Sequence, residues 1–450
     1  MNLNYVGSVA ERFMKFRSTL RTEENISSNL FNAVSIYVPK SLAQANLASD
    51  SYTPSEVTAD KYAVIPVTVD NYKSVLADGS VLLSQWLPVF NDGTNSAVTL
   101  YIIVFDDTSF SPTLTAGAIT WAPLTKAFNE LYFISFFKTM FSEHYDGSKV
   151  THEQAEEGDY DDSNYFDMAL ALAYQCENEP ALSFCLIEAK VVVPEAGASD
   201  TNACKVMSHT RGEETAHCTT FVSSTVADRA EYFWGYLNLI GFAHSELHIH
   251  NGSYMIPIIL GKWFEGTNPT GEFVGNKLAK IRLSGNKVKP TGLPSPLNSD
   301  VNLNLAEAIY TILDTKFVGY FISISDGSDN NAEFIRERSG SNYPITAYMI
   351  SKWIDYNTSQ DVANFATANE TLTKPILVNQ KTYSDIQSML VANIQKFAGL
   401  GRLDNVVLDF PPFSEAKKGQ SFEGTGVWKA TYIDDLESVE ISGSISFQGR

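Results

Sequence analysis

Alternation of apolar and polar side chains is clearest near the end of the chain, where Val439, Ile441, Ile445 and Phe447 interleave with Glu440, Ser442, Ser444 and Ser446. A period of two over the ten residues Ser438 to Phe447 predicts a β-strand with one buried face. The stretch before it, Gly426 to Ile433, is rich in Val, Trp, Thr and Tyr, and Asp434 to Glu437 can turn the chain between the two. The expectation is a terminal hairpin. A strand in this position either closes the sheet of its own subunit or adds to the exposed sheet edge of another.

Earlier in the chain, Val34, Ile36 and Val38 alternate with Ser35 and Tyr37 behind a basic arm, and could form a second donated strand or complete the subunit's own sheet. Tyr62 to Val69 reads as a strand that Pro66 confines to an edge. Asn71 to Trp86 suits a helix, and Val98 to Phe105 is a continuous apolar run expected in the middle of a sheet. Pro123 opens a predicted helix that runs to about Phe141. A helix over Tyr165 to Tyr174 and a buried strand over Ala181 to Val193 follow, and then a small, polar stretch, Pro194 to Thr220, without either period. Leu303 to Leu313, Tyr343 to Ile354 and Gln360 to Ala368 suit helices, with a strand at Phe317 to Ile324. The strongest helical pattern places Tyr383, Ile386, Leu390, Ile394 and Phe397 on one face, with Thr382 and Asp385 as a capping box and Gly399 and Gly401 as the stop. Strands interleaved with helices in this order predict an α/β fold with a mixed sheet.

Composition narrows the function. A 450-residue chain with 44% hydrophobic and 19% charged residues should fold, into two or three domains. A net charge of −20 opposes general nucleic-acid binding, because a phosphate backbone rewards Lys and Arg. Charge is also uneven: Glu143 to Glu188 holds twelve Asp or Glu residues against one Lys, whereas Met1 to Arg21 carries Arg12, Lys15, Arg17 and Arg21 against Glu11. Such asymmetry suits subunits that present opposite charge to one another, and equally suits solvated loops. No apolar run is long enough to cross a bilayer, and Met1 to Leu20 lacks the apolar core of a signal peptide, so synthesis in a reducing cytoplasm without membrane insertion is expected. Cys176, Cys185, Cys204 and Cys218 are irregularly spaced and read as buried thiols.

The familiar catalytic motifs are absent: no nucleophile elbow, phosphate-binding loop, dinucleotide turn or zinc-protease helix occurs. No cofactor or enzymatic activity is expected. One constellation carries an alternative. His244, Glu246, His248 and His250 are spaced to share one face of a strand, and three imidazoles with a carboxylate could hold Zn²⁺ in a metal-dependent enzyme or binding module. The same spacing is also that of an ordinary half-exposed strand.

The order of elements from Val301 through Phe321, Tyr343 to Asp355, Tyr383 to Leu403 and the final hairpin resembles the C-terminal domain of contractile phage tail sheath proteins. The resemblance rests on Trp353-Ile354-Asp355 near the end of one helix and on a Tyr-x-x-Ile helix closing at Gly401-Arg402-Leu403, with Trp86-Leu87-Pro88-Val89-Phe90 before the buried run Leu100 to Val104. It implies a mixed-sheet core with packed helices, built from N- and C-terminal parts, an inserted outer domain, and extended terminal arms that donate strands to neighbours. The division implied is 1–40 for the arm and first strand, 41–193 for a core part with an acidic loop, 194–290 for the inserted outer region, 291–425 for the C-terminal core and 426–450 for the terminal hairpin.

The function implied is that of a virion tail subunit assembled in the host cytoplasm. It would polymerise helically with copies of itself around a tail tube protein, meet baseplate and tail terminator proteins at the ends, and contract to drive the tube through the host envelope. A capsid or baseplate component is the neighbouring alternative. Within this picture, Lys396, Arg402, Lys417 and Lys418 are expected to face an acidic tube.

Overall fold

The computed structural model describes residues 30–90, 98–108, 113–115, 118–141, 163–178, 183–192, 204–209, 216–221, 245–250, 256–265, 293–294, 319–325, 330–334, 345–369, 379–418, 421–422 and 427–433. The strands are β1 (Ala33–Pro39), β2 (Ala63–Val67), β3 (Thr99–Phe105), β4 (Thr113–Thr115), β5 (Ala118–Thr120), β6 (Phe137–Met140), β7 (Phe184–Val192), β8 (Cys204–His209), β9 (Ala216–Phe221), β10 (Ser245–His250), β11 (Leu293–Pro294), β12 (Gly319–Ser325), β13 (Asn330–Phe334), β14 (Leu403–Asp409), β15 (Lys417–Lys418), β16 (Ser421–Phe422) and β17 (Val427–Tyr432). The helices are α1 (Lys40–Asn46), α2 (Tyr72–Val75), α3 (Val81–Phe90), α4 (Ala122–Leu131), α5 (Ser163–Asn178), α6 (Ile256–Glu265), α7 (Ile345–Asn369), α8 (Gln380–Gly399) and α9 (Phe413–Ala416). The chain divides into two compact units at Lys352/Trp353, within α7.

The first unit is built on a mixed sheet that has eleven strands among the described residues, with the path β11-β12-β10-β7-β6-β1-β3-β2. All neighbours on this path are parallel except β2, which runs antiparallel to β3 at the edge. Pro66 sits in that edge strand, as its missing N–H requires. The order reverses at β1: the chain leaves it for β3 on one side, then returns across it to β6, β7, β10 and β12. Helices stand on the crossovers into β3, β6, β7 and β12, whereas the described elements between β7 and β10 are the strands β8 and β9, and the fold is mixed α/β.

The core is where the continuous apolar runs meet. All seven residues of β1 are buried, and in β3 Leu100 and Ile102 to Phe105 are buried as well. An aromatic cluster stands around Phe136, whose ring centroid lies 5.3 Å from Phe31, 5.1 Å from Phe137, 6.3 Å from Phe184 and 5.9 Å from Tyr348. α5 adds Met168, Ala169, Ala171, Leu172, Ala173 and Cys176 to the buried set. Gln175 Nε2 ties it to α4 by donating to Thr125 Oγ1 at 3.2 Å.

Several expectations need correction. Val34, Ile36 and Val38 do not form a donated arm. β1 pairs with β3 along one edge and β6 along the other, so both of its hydrogen-bonding edges are occupied within the subunit. The helix opened by Pro123 ends at Leu131. A single 3₁₀ turn, Tyr132–Ile134, leads into β6, because Phe137 to Met140 fill the edge between β1 and β7. Asn71 to Trp86 is broken into α2 and α3, with Gly79 at φ +70° between them, a conformation that glycine adopts without a Cβ penalty. Within Pro194 to Thr220, β8 and β9 form an antiparallel pair that joins the sheet through β7. The two helices expected over 343–368 are one, α7. Leu303 to Leu313 lies outside the described residues.

Candidate functional site: an exposed two-stranded ribbon

The second unit takes its shape from two helices. α8 is capped by Asn379, whose side-chain oxygen accepts from the Thr382 N–H at 3.0 Å, rather than by the expected Thr382 and Asp385 pair. Its predicted stripe is buried as read: Tyr383, Ile386, Leu390, Ile394 and Phe397. Phe397 meets Trp353 of α7 edge-on at 5.1 Å, and Asn393 Nδ2 donates to Asp361 Oδ2 at 2.9 Å. Val362, Tyr383, Ile386 and Ala416 form the central cluster, with Met389 and Phe413 against it. Tyr383 Oη donates to the Pro411 carbonyl at 2.7 Å, which fixes the segment that follows β14.

The helix ends with the Gly401 N–H on the Ala398 carbonyl at 3.0 Å and Gly401 at φ +71°. β14 starts at once and pairs with β17 in antiparallel register, Leu403 to Tyr432 and Asp409 to Val427. Two contacts anchor the ribbon: the Ile433 N–H donates to the Arg402 carbonyl at 2.9 Å, and Trp428 Nε1 donates to Asp355 Oδ1 at 3.2 Å. Between Asp404 and Val407 the register slips in a bulge, where Asn405 takes φ +49°.

Among the described residues β14 and β17 pair with each other alone. After Leu403 every residue of β14 is exposed, including Val406, Val407 and Leu408, with Val407 at 57%. Every exposed large apolar residue among those described, apart from Val64 and Leu87, falls between Leu400 and Ile433. A lone two-stranded ribbon is marginal in water, and its open edges and apolar faces favour pairing with another chain. The sequence reading missed β14 as a surface, although Val406-Val407-Leu408 bounded by Asp404 and Asp409 is a short apolar run of strand type.

The other predicted residues fall as follows. Val439, Ile441, Ile445 and Phe447 lie outside the described residues, and β17, the first half of the expected hairpin, pairs with β14. Lys396 and Arg402 flank the end of α8, while Lys417 and Lys418 form β15, paired with β16. Lys396 Nζ stands 4.3 Å from the Trp353 ring centroid, a cation–π contact within its own unit. Glu246, His248 and His250 occupy alternate positions of β10, an interior strand between β7 and β12, and His244 lies outside the described residues. No group of three or more metal-ligating side chains gathers among the described residues, and none of the described helices is long and apolar enough to cross a membrane. At the carboxyl end of β1, where the strand order reverses and doubly wound sheets hold ligands, the Ser41 N–H donates to Asp107 Oδ1 at 3.0 Å, so the start of α1 is satisfied from within the chain.

No family model matches the sequence, and no curated protein matches it. Among solved structures, a chain in the cryo-EM structure of the anti-feeding prophage baseplate, six-fold symmetrised, aligns over 95% of this chain and 98% of its own, with a TM-score of 0.52 at 11% identity. A chain in the crystal structure of the sheath tail protein Lin1278 from Listeria innocua aligns over 96% of this chain and 99% of its own, with a TM-score of 0.33 at 11% identity. What this chain shares with the baseplate component, along nearly its whole length, is the fold.

Proposed function

We propose that this chain is a structural subunit of a contractile tail or injection machine, a sheath subunit that polymerises around a tube and contracts to drive the tube through the target envelope. The observation that carries this reading is the β14–β17 ribbon, a two-stranded sheet with exposed Val406, Val407 and Leu408 that a strand from a neighbouring copy would extend and cover. The fold shared with a chain of the anti-feeding prophage baseplate supports it. The incoming strand is Ser438 to Phe447 of the next subunit, with Val439, Ile441, Ile445 and Phe447 setting register by their period of two. Links of this kind, repeated through a helical lattice, keep subunits joined while they rearrange, and contraction then needs no nucleotide or cofactor.

The partners in this reading are other copies of the chain, a tail tube protein, and the baseplate and terminator proteins at the ends, all in the virion tail after assembly in the host cytoplasm. A second reading follows from the fold shared with a chain of a six-fold symmetrised baseplate: a sheath-like component that closes into a ring at the baseplate instead of extending as a tube. Electron microscopy of the concentrated protein separates the two. Helical tubes support the sheath, single rings support the baseplate component, and monomers at every concentration would sink both.

A further inference from the structure

A small polar cluster interrupts the apolar interface between the sheet and α5. Lys138 of β6 and Cys185 of β7 are register partners on adjacent parallel strands, and Cys176 lies in the last turn of α5. All three are wholly buried. Both cysteines are thiols, and their side chains are hydrogen-bonded to each other. Lys138 Nζ donates to the Tyr132 carbonyl at 2.9 Å and the Ser135 carbonyl at 2.6 Å, and stands 5.7 Å from the Phe128 ring centroid. The assembly function proposed above uses none of these groups.

We propose that Cys176 and Cys185 are a disulfide-competent pair, a redox-sensitive clamp between α5 and β7 that closes by exchange with a low-molecular-weight disulfide such as oxidised glutathione. One protein thiolate attacks a sulfur of the glutathione disulfide and releases a glutathione thiolate, leaving a mixed disulfide. The second protein thiolate then displaces the remaining glutathione. One S–S bond forms in the protein while one is reduced in the oxidant, and the two protein thiol protons end on the two glutathione thiols. Burial makes the step slow. It pushes the Cys185 thiol well above its ordinary range, the bond to Cys176 pushes the same way, and the nearby Lys138 ammonium pulls against both. Exchange therefore proceeds through openings of α5 from β7, and the closed bond is protected by the same burial.

The test uses the full-length protein, incubated with oxidised glutathione in sub-denaturing urea, quenched in acid, alkylated after unfolding and mapped by mass spectrometry. The expected product is a peptide pair joining Cys176 to Cys185. The oxidised chain should unfold roughly 3 °C higher than the reduced one, a shift abolished by dithiothreitol. Recovery of both residues as alkylated thiols, a persistent glutathione adduct on either, or bonds from them to Cys204 or Cys218 overturns the proposal. Cys176→Ser removes the resolving thiol and should trap the adduct on Cys185. If that variant does not fold, the peptide map of the natural chain decides.

Discussion

Lys138 shows what a single side chain contributes to this sheet. Its ammonium group has been taken out of water and given two carbonyls, and burial lowers its pKa to about 8, with the neighbouring Cys176 and Cys185 raising it slightly. Because the folded value lies below the unfolded value of 10.5, the unfolded chain binds more protons between pH 8 and 10.5, and stability rises with pH across that window. The contribution is present above the unfolded value and lost as pH falls through about 8. Cys185 and Tyr37, whose pKa values burial raises, act with the opposite sign at alkaline pH, so the measurement is a difference between two chains. Urea unfolding of the natural chain and of Lys138→Met over a pH series should show the natural chain gaining about 3 kcal/mol relative to the variant across the window. A flat difference would mean that the amine is solvated through openings of the core.

Among elements, α8 and β14 stand at opposite ends of what local sequence determines. α8 carries its buried stripe in its own spacing, and its start is a local hydrogen bond from the Thr382 N–H to Asn379. Asn379→Ala should cost about 1 kcal/mol of stability, measured by denaturant unfolding, with no effect on assembly. β14 is different, since its exposure depends on what pairs with it. Val407→Lys places a charge on the most exposed apolar position of the ribbon and should leave the thermal unfolding midpoint within about 2 °C of the natural one, as exposed substitutions do. Assembly, followed by sedimentation, should be lost. Undiminished assembly of this variant would remove the ribbon from the interface.

For the whole molecule, the terminal strand and the ribbon are two halves of one proposal. A chain ending at Glu437 keeps both ribbon strands and lacks Ser438 to Phe447. It should fold, by its circular dichroism spectrum, and fail to form tubes; tubes from that chain would show that the strand belongs to its own subunit. The basic residues around the end of α8 make a separate claim. If Lys396, Arg402, Lys417 and Lys418 face an acidic tube, replacing Arg402, Lys417 and Lys418 together with Glu should abolish tube-templated assembly at low salt. Assembly that ignores both this reversal and added salt would place the tube contact elsewhere.

The chain's own pattern was enough to mark Pro66 as an edge residue, to place Val98 to Phe105 inside a sheet and to give α8 its buried face, because period, proline chemistry and continuous apolarity are local properties. It was not enough for β6, since Phe137 to Met140 reads equally as the end of a helix until β1 and β7 offer hydrogen bonds on both sides. Nor could it show that Val34 to Val38 lies between two strands of the same subunit, while Val406 to Leu408 is left uncovered. Strand pairing joins residues far apart in the chain, and a strand's own sequence is the same whether its edges are filled by its own subunit, by a neighbour or by water. The tertiary structure assigns the partners, and with them the surface that remains for assembly.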